Sequence, residues 1–133
     1  MEGNRILKLN IENMKSLDVD MAKQLVTAAG PTIRYDKTGN PWFPKDRADV
    51  AIIQRDAEDG HSYGRTIWYV AYDNGQGVRI KKLHDTGNIH DNCHTWSIDL
   101  VDGVLKVNAS YGNTKPKIEV RLSDLGLKDL EKA

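Results

Sequence analysis

Histidine and cysteine concentrate in one short segment of the chain, residues 84–94. This segment holds three of the four histidines and the only cysteine. Imidazole nitrogen and thiolate sulfur are ligands that zinc prefers in proteins. The side chains would converge if the strands on either side of the segment paired as a hairpin. The candidate zinc ligands are therefore His84, His90, Cys93 and His94.

The same segment also supports two interpretations without a metal. In a zinc site, Asp85 and Asp91 would be further ligands or would orient the histidines. Without a metal, a histidine beside a carboxylate is a common catalytic pair, because imidazole titrates near neutral pH. The spacing matches none of the paired Cys-x-x-Cys zinc motifs, and Gly87-Asn88 is typical of a plain loop. In that case the polar side chains make local hydrogen bonds and Cys93 is a small buried apolar residue.

Large aromatic side chains indicate a second kind of site. Trp42-Phe43 lies between two prolines in the irregular stretch 30–48, and the run 67–72 is apolar on both faces of a strand. Aromatic rings are common in ligand pockets and at protein interfaces. The candidate ligand-binding residues are Trp42, Phe43, Trp68 and Tyr72.

Alternation of apolar and polar residues predicts the strands that position these side chains. Asn74-Gly75 and Asp102-Gly103 are typical hairpin turns. The predicted strands lie near residues 5–12, 49–55, 65–72, 78–83, 94–101, 104–111 and 117–122. A helix is predicted over 17–29, where Asp18 can cap its start and Gly30-Pro31 ends it.

The predicted fold is α+β, with residues 1–133 forming a single domain. A curved, mainly antiparallel β-meander of about six to eight strands carries one principal helix packed on one face. The helix covers only one face of the doubly apolar strand 65–72. The loop 30–48, the sheet curled upon itself, a ligand or a second copy of the chain is then needed over the other face.

Composition narrows the partners and the setting. The chain has 19 basic and 19 acidic side chains, a balance that disfavours nucleic acid, whose binding proteins are usually basic. No apolar run approaches the roughly 20 residues that span a membrane. The start of the chain lacks the apolar core of a signal peptide, and a single cysteine fits a reducing compartment, so we expect a cytoplasmic protein.

Two functions follow as expectations. The first is a small soluble binding module that uses the apolar aromatic sheet face for a small ligand or a protein partner, with a homodimer as one form of the latter. This function needs no cofactor. The alternative is a zinc-dependent or histidine-based enzyme centred on residues 84–94. The sequence does not decide whether the protein is an enzyme.

Overall fold

The computed structural model describes residues 17–30, 34–58, 64–87, 89 and 92–128. In these ranges the chain forms one α-helix, α1 (Val19–Ala29), and a short 3-10 helix, Leu122–Leu125. The seven strands are β1 (Tyr35–Thr38), β2 (Val50–Glu58), β3 (Gly64–Asp73), β4 (Val78–Asp85), β5 (His94–Val101), β6 (Val104–Ser110) and β7 (Ile118–Arg121). The predicted α+β class, with antiparallel strands and one principal helix, is confirmed.

The strands form two sheets rather than one continuous meander. Strands β1-β2-β3-β4 make a four-stranded sheet and β5-β6-β7 make a three-stranded sheet, and every pairing is antiparallel. Strands joined by tight turns at 74–77 and 102–103 pair with each other. The longer connection between β4 and β5 instead carries the chain from one sheet to the other.

Both faces of the central hairpin β2–β3 are covered by this same chain. On one face, Ile53 and Tyr69 pack with Ala22 and Val26 of α1 in a buried apolar cluster. On the other face, residues of the three-stranded sheet provide the cover. That second cluster includes Ile52, Trp68, Val70, Leu105, Val107, Ile118 and Val120. Full burial of such a side chain stabilises the fold by roughly 1.5–3 kcal/mol, so the second sheet is the cover that the doubly apolar strand requires.

Helix α1 begins and ends where the sequence predicts. The Asp18 side chain accepts a hydrogen bond of 3.1 Å from the Met21 backbone N–H and caps the first turn. At the other end, a Cβ atom on Gly30 would lie 1.7 Å from Nη1 of buried Arg55. The Arg55 guanidinium is held there by Asp36, with 2.8 Å between Nε and Oδ2. Gly30 therefore leaves room for the Arg55 side chain, which a larger residue would displace.

Two predictions, the first strand and the irregular stretch, have other outcomes. The strand near 5–12 lies outside the described residues. The irregular stretch 30–48 contains β1, which pairs with β2 from Tyr35 opposite Glu58 to Thr38 opposite Arg55. In the part of the chain that the structure describes, no helix is long and apolar enough to cross a membrane.

Candidate ligand-binding cleft

An open cleft of about 460 Å³ lies along β2, where the chain leaves regular pairing with β1. The backbone stays close to β2 on both sides of this irregularity. The Gly39 N–H donates to the Gln54 carbonyl at 2.9 Å, and Trp42 and Ile52 exchange backbone hydrogen bonds of 2.8 and 2.9 Å. The cleft is lined by Gly39, Asn40, Pro41, Trp42, Gln54 and Asp56.

Strand geometry places Trp42, which forms the aromatic wall of the cleft, on the same face of the sheet as Gln54 and Asp56, which form its polar floor. Side chains two residues apart on β2 point to the same face, so Gln54 and Asp56 share the face of Ile52. Trp42 is bridged directly opposite Ile52 and lies on that face as well. The Trp42 side chain keeps 38% of its surface exposed. An indole ring and a carboxylate therefore line the same open cleft, at positions roughly 13 Å apart along β2.

Gln54 is fixed to the second sheet by hydrogen bonds. Its Nε2 donates to Oδ1 of Asp56 and to the carbonyl of Cys93, both at 2.9 Å. Its Oε1 accepts from the Thr95 hydroxyl, and that hydroxyl oxygen accepts from Nε1 of Trp68 at 2.9 Å. The floor of the cleft is thus held by a network that extends from β2 through β5 to the core.

Only one of the two oxygens of Asp56 has hydrogen-bond partners among the described residues. Oδ1 accepts from Gln54 and from the Thr66 hydroxyl, the latter at 3.0 Å. The Thr66 hydroxyl oxygen in turn accepts from the Cys93 backbone N–H at 2.9 Å. Within the described ranges, Oδ2 of this partly buried carboxylate has neither a hydrogen bond nor an ion pair.

Other buried or partly buried aspartates have arginine partners. The pairs are Asp36 with Arg55, Asp49 with Arg47, and Asp85 with Arg65. The hydrogen bond from Arg65 holds the pKa of Asp85 below its usual range. Asp73 lacks such a partner, but its carboxylate accepts backbone hydrogen bonds in the exposed turn between β3 and β4. Asp56 differs from all of these because it lines the cleft and has no arginine partner among the described residues.

The four predicted ligand-binding aromatics do not form one site. Trp42 lines the cleft, and Phe43 beside it is also 38% exposed. Trp68 is fully buried beneath the second sheet and reaches the cleft only through its hydrogen bond to Thr95. Tyr72 lies opposite Val50, roughly 13 Å along β2 from the cleft floor.

Three of the four predicted zinc ligands, His84, Cys93 and His94, lie in the described part of the chain. Strands β4 and β5 belong to different sheets, so the hairpin that would bring the histidines together is not formed. The His84 ring lies 5.8 Å from that of Trp68, centroid to centroid, while His94 is exposed at the start of β5. Burial raises the pKa of the Cys93 thiol to about 11. No three His, Cys, Asp or Glu side chains of the described chain are grouped as a metal site needs. His90 lies outside the described residues.

No known protein family, characterised protein or solved structure matches this chain. The case for a function therefore depends on the geometry of the molecule. A second open cleft, between the edge strands β4 and β7, is lined by both basic and acidic side chains, among them Lys82, Arg121, Glu119 and Asp124. It contains no aromatic residue that could contact an apolar part of a ligand.

Three residues important to the first cleft were missed from the sequence: Gln54, Asp56 and Thr95. A signal for two of them was present. Along one face of β2 the order is Val50, Ile52, Gln54 and Asp56, so polar side chains interrupt an apolar inward row. Polar groups on a buried face need partners, and this interruption marks where the two sheets enclose a hydrogen-bonded network.

Proposed function

We propose that this protein is a non-enzymatic binding module that holds a small ligand in the cleft of Trp42, Gln54 and Asp56. The observation that carries the proposal is an exposed indole ring that lines the same cleft as a carboxylate held by hydrogen bonds from Gln54 and Thr66. A volume of about 460 Å³ lies in the range that small-molecule sites occupy. We propose a cytoplasmic setting for it, which the buried thiol of Cys93 suits.

Preorganisation supports this proposal. Binding costs free energy when flexible side chains must be ordered around the ligand. Gln54 and the Oδ1 atom of Asp56 are already ordered by hydrogen bonds to the backbone of Cys93 and the hydroxyl of Thr66. Two backbone hydrogen bonds to Ile52 fix the main chain of Trp42. Binding of a ligand would therefore require little further ordering of these side chains.

The cover over the central hairpin favours a small ligand over a second copy of the chain. The aromatic face that suggested a dimer is buried under β5–β7, so it offers no area to a partner. A stable protein interface buries about 800 Å² on each side. Trp42 and Phe43 form a small exposed apolar area by comparison. The open carboxylate of Asp56 would also repel nucleic acid phosphates.

A fragment screen by saturation-transfer NMR tests the proposal. Fragments that bind the wild-type protein should lose their signal with Trp42→Ala, because the aromatic wall is removed. Trp96→Ala is the matched control, since Trp96 is 53% exposed on β5 and is not among the residues that line the cleft. Finding no binding fragment, or fragments whose signal survives Trp42→Ala, would contradict a binding cleft.

The zinc alternative remains a prediction and has its own test. Metal analysis of the purified protein would support it if zinc is stoichiometric and is lost from both His90→Ala and His94→Ala.

A further inference from the structure

We infer that the ligand of the cleft is a small organic cation, an alkylammonium held between the Asp56 carboxylate and the Trp42 ring. This inference rests on the proposed function and specifies its ligand class. It derives from three features of the cleft: an open carboxylate oxygen, an exposed indole, and the arrangement of the nearby lysines.

The open oxygen of Asp56 supplies the first argument. A partly buried carboxylate is costly unless a positive charge or several hydrogen bonds compensate it. In Asp36, Asp49 and Asp85 this compensation comes from an arginine of the same chain. Oδ1 of Asp56 has two hydrogen bonds, whereas Oδ2 has none from any described residue. An ammonium group in the cleft would give this solvent-accessible oxygen a charge-assisted hydrogen bond.

Trp42 supplies the second argument. The face of an indole attracts cations more strongly than any other aromatic side chain does. Both the Trp42 ring and the Asp56 carboxylate therefore favour a cation in the cleft. A neutral alcohol would satisfy Oδ2 without neutralising the charge of Asp56, and a carboxylic acid anion would be repelled by it. The Trp42 ring and the Asp56 carboxylate together therefore favour a positively charged ligand over a neutral or negatively charged one.

The third argument concerns the two lysines near the cleft. Nζ of Lys23 donates to Oδ1 of Asn40 at 3.1 Å, so this ammonium group already has a hydrogen-bond partner at the edge of the cleft. Lys37 is directly opposite Asp56 in the β1–β2 register and shares its face, but its side chain is exposed and the two do not form an ion pair. Lys37 is therefore the internal competitor for the carboxylate. Removing its charge should strengthen cation binding.

The test uses the full-length protein and three probes of similar size: n-butylammonium, 1-butanol and butyrate. Binding is followed by the ¹⁵N–¹H signal of the Trp42 indole and, in Trp42→Ala, by saturation-transfer NMR of the probe. We expect n-butylammonium to bind at least about tenfold more tightly than either other probe, and more weakly as salt is added. Asp56→Asn should weaken n-butylammonium about tenfold or more, because it keeps Oδ1 for Gln54 but removes the charge. Lys37→Gln should bind the cation several-fold more tightly.

Two results would overturn the inference while leaving the proposed function intact. One is equal binding of 1-butanol and n-butylammonium. The other is an Asp56→Asn variant that binds the cation as well as wild type does, with binding still lost in Trp42→Ala. If Nα-acetyl-lysine amide binds and n-butylammonium does not, the inference of a small-molecule ligand is overturned. The ligand would then be a lysine side chain of a protein partner. Retention of the Trp68 indole signal confirms that each variant is folded.

Discussion

Replacing Thr95 with valine should destabilise the protein, although the two side chains have nearly the same shape. The Thr95 hydroxyl is the only link between the buried indole of Trp68 and the cleft residue Gln54 among the hydrogen bonds of the described chain. Valine removes that hydroxyl, so Nε1–H of Trp68 and Oε1 of Gln54 both lose their partner.

The two losses differ in size because the two groups differ in access to water. Trp68 is fully buried, so its N–H group stays unsatisfied at a cost of about 1–3 kcal/mol. Gln54 is only partly buried and lines the cleft, so water can replace the hydroxyl at little cost. We therefore expect the free energy of unfolding to fall by about 2 kcal/mol, which shifts the urea midpoint by roughly 1 M.

Urea unfolding of wild type, Thr95→Val and Thr95→Ser measures this effect. Serine keeps the hydroxyl and should remain within about 1 kcal/mol of wild type. Thr114→Val is a control for the threonine-to-valine exchange, because Thr114 is exposed and its recorded hydrogen bonds are backbone only. The reasoning is refuted if Thr95→Val unfolds at the wild-type midpoint and the Trp68 indole proton exchanges as slowly as before.

Three further predictions concern other parts of the molecule. Gly30→Ala should lower the free energy of unfolding by about 1–3 kcal/mol in urea, because its Cβ would displace buried Arg55; wild-type stability would contradict this. The Cys93 thiol should resist Ellman's reagent at pH 8 until the protein is unfolded, since its pKa is raised to about 11; rapid labelling of the native protein would refute its burial. Asp85→Asn should cost about 1–2 kcal/mol at pH 7, because the folded pKa of Asp85 is depressed by Arg65. The difference in free energy of unfolding between wild type and Asp85→Asn should have its full size above the unfolded pKa of about 3.9 and disappear as the pH falls through the folded pKa. A difference that stays constant down to acid pH would contradict this.

The elements of the fold were largely predictable because their signals are local. Helix α1 has its cap at Asp18 and its end at Gly30, and both are read directly from residue types. The hairpin turns at Asn74-Gly75 and Asp102-Gly103 fix which strands pair, because glycine adopts the positive φ that such turns use. Strand β1 was missed because it is four residues long and its alternation is short.

The division into two sheets was not predictable from the same signals. The doubly apolar strand β3 showed that a second cover was needed, but periodicity does not say which element provides it. The predicted ligand set included Trp68 because its apolar surface was visible and its cover was not. The cleft depends on Thr95 reaching Gln54 across the two sheets, a contact between residues that are far apart in the chain.

The most direct test of the proposed cleft is a crystal structure of the protein grown with n-butylammonium. The account predicts the ammonium nitrogen about 2.7–2.9 Å from Oδ2 of Asp56 and within about 6 Å of the Trp42 ring centroid. An ion found elsewhere on the surface, or a cleft filled by the side chain of Trp42 itself against Asp56, would contradict it.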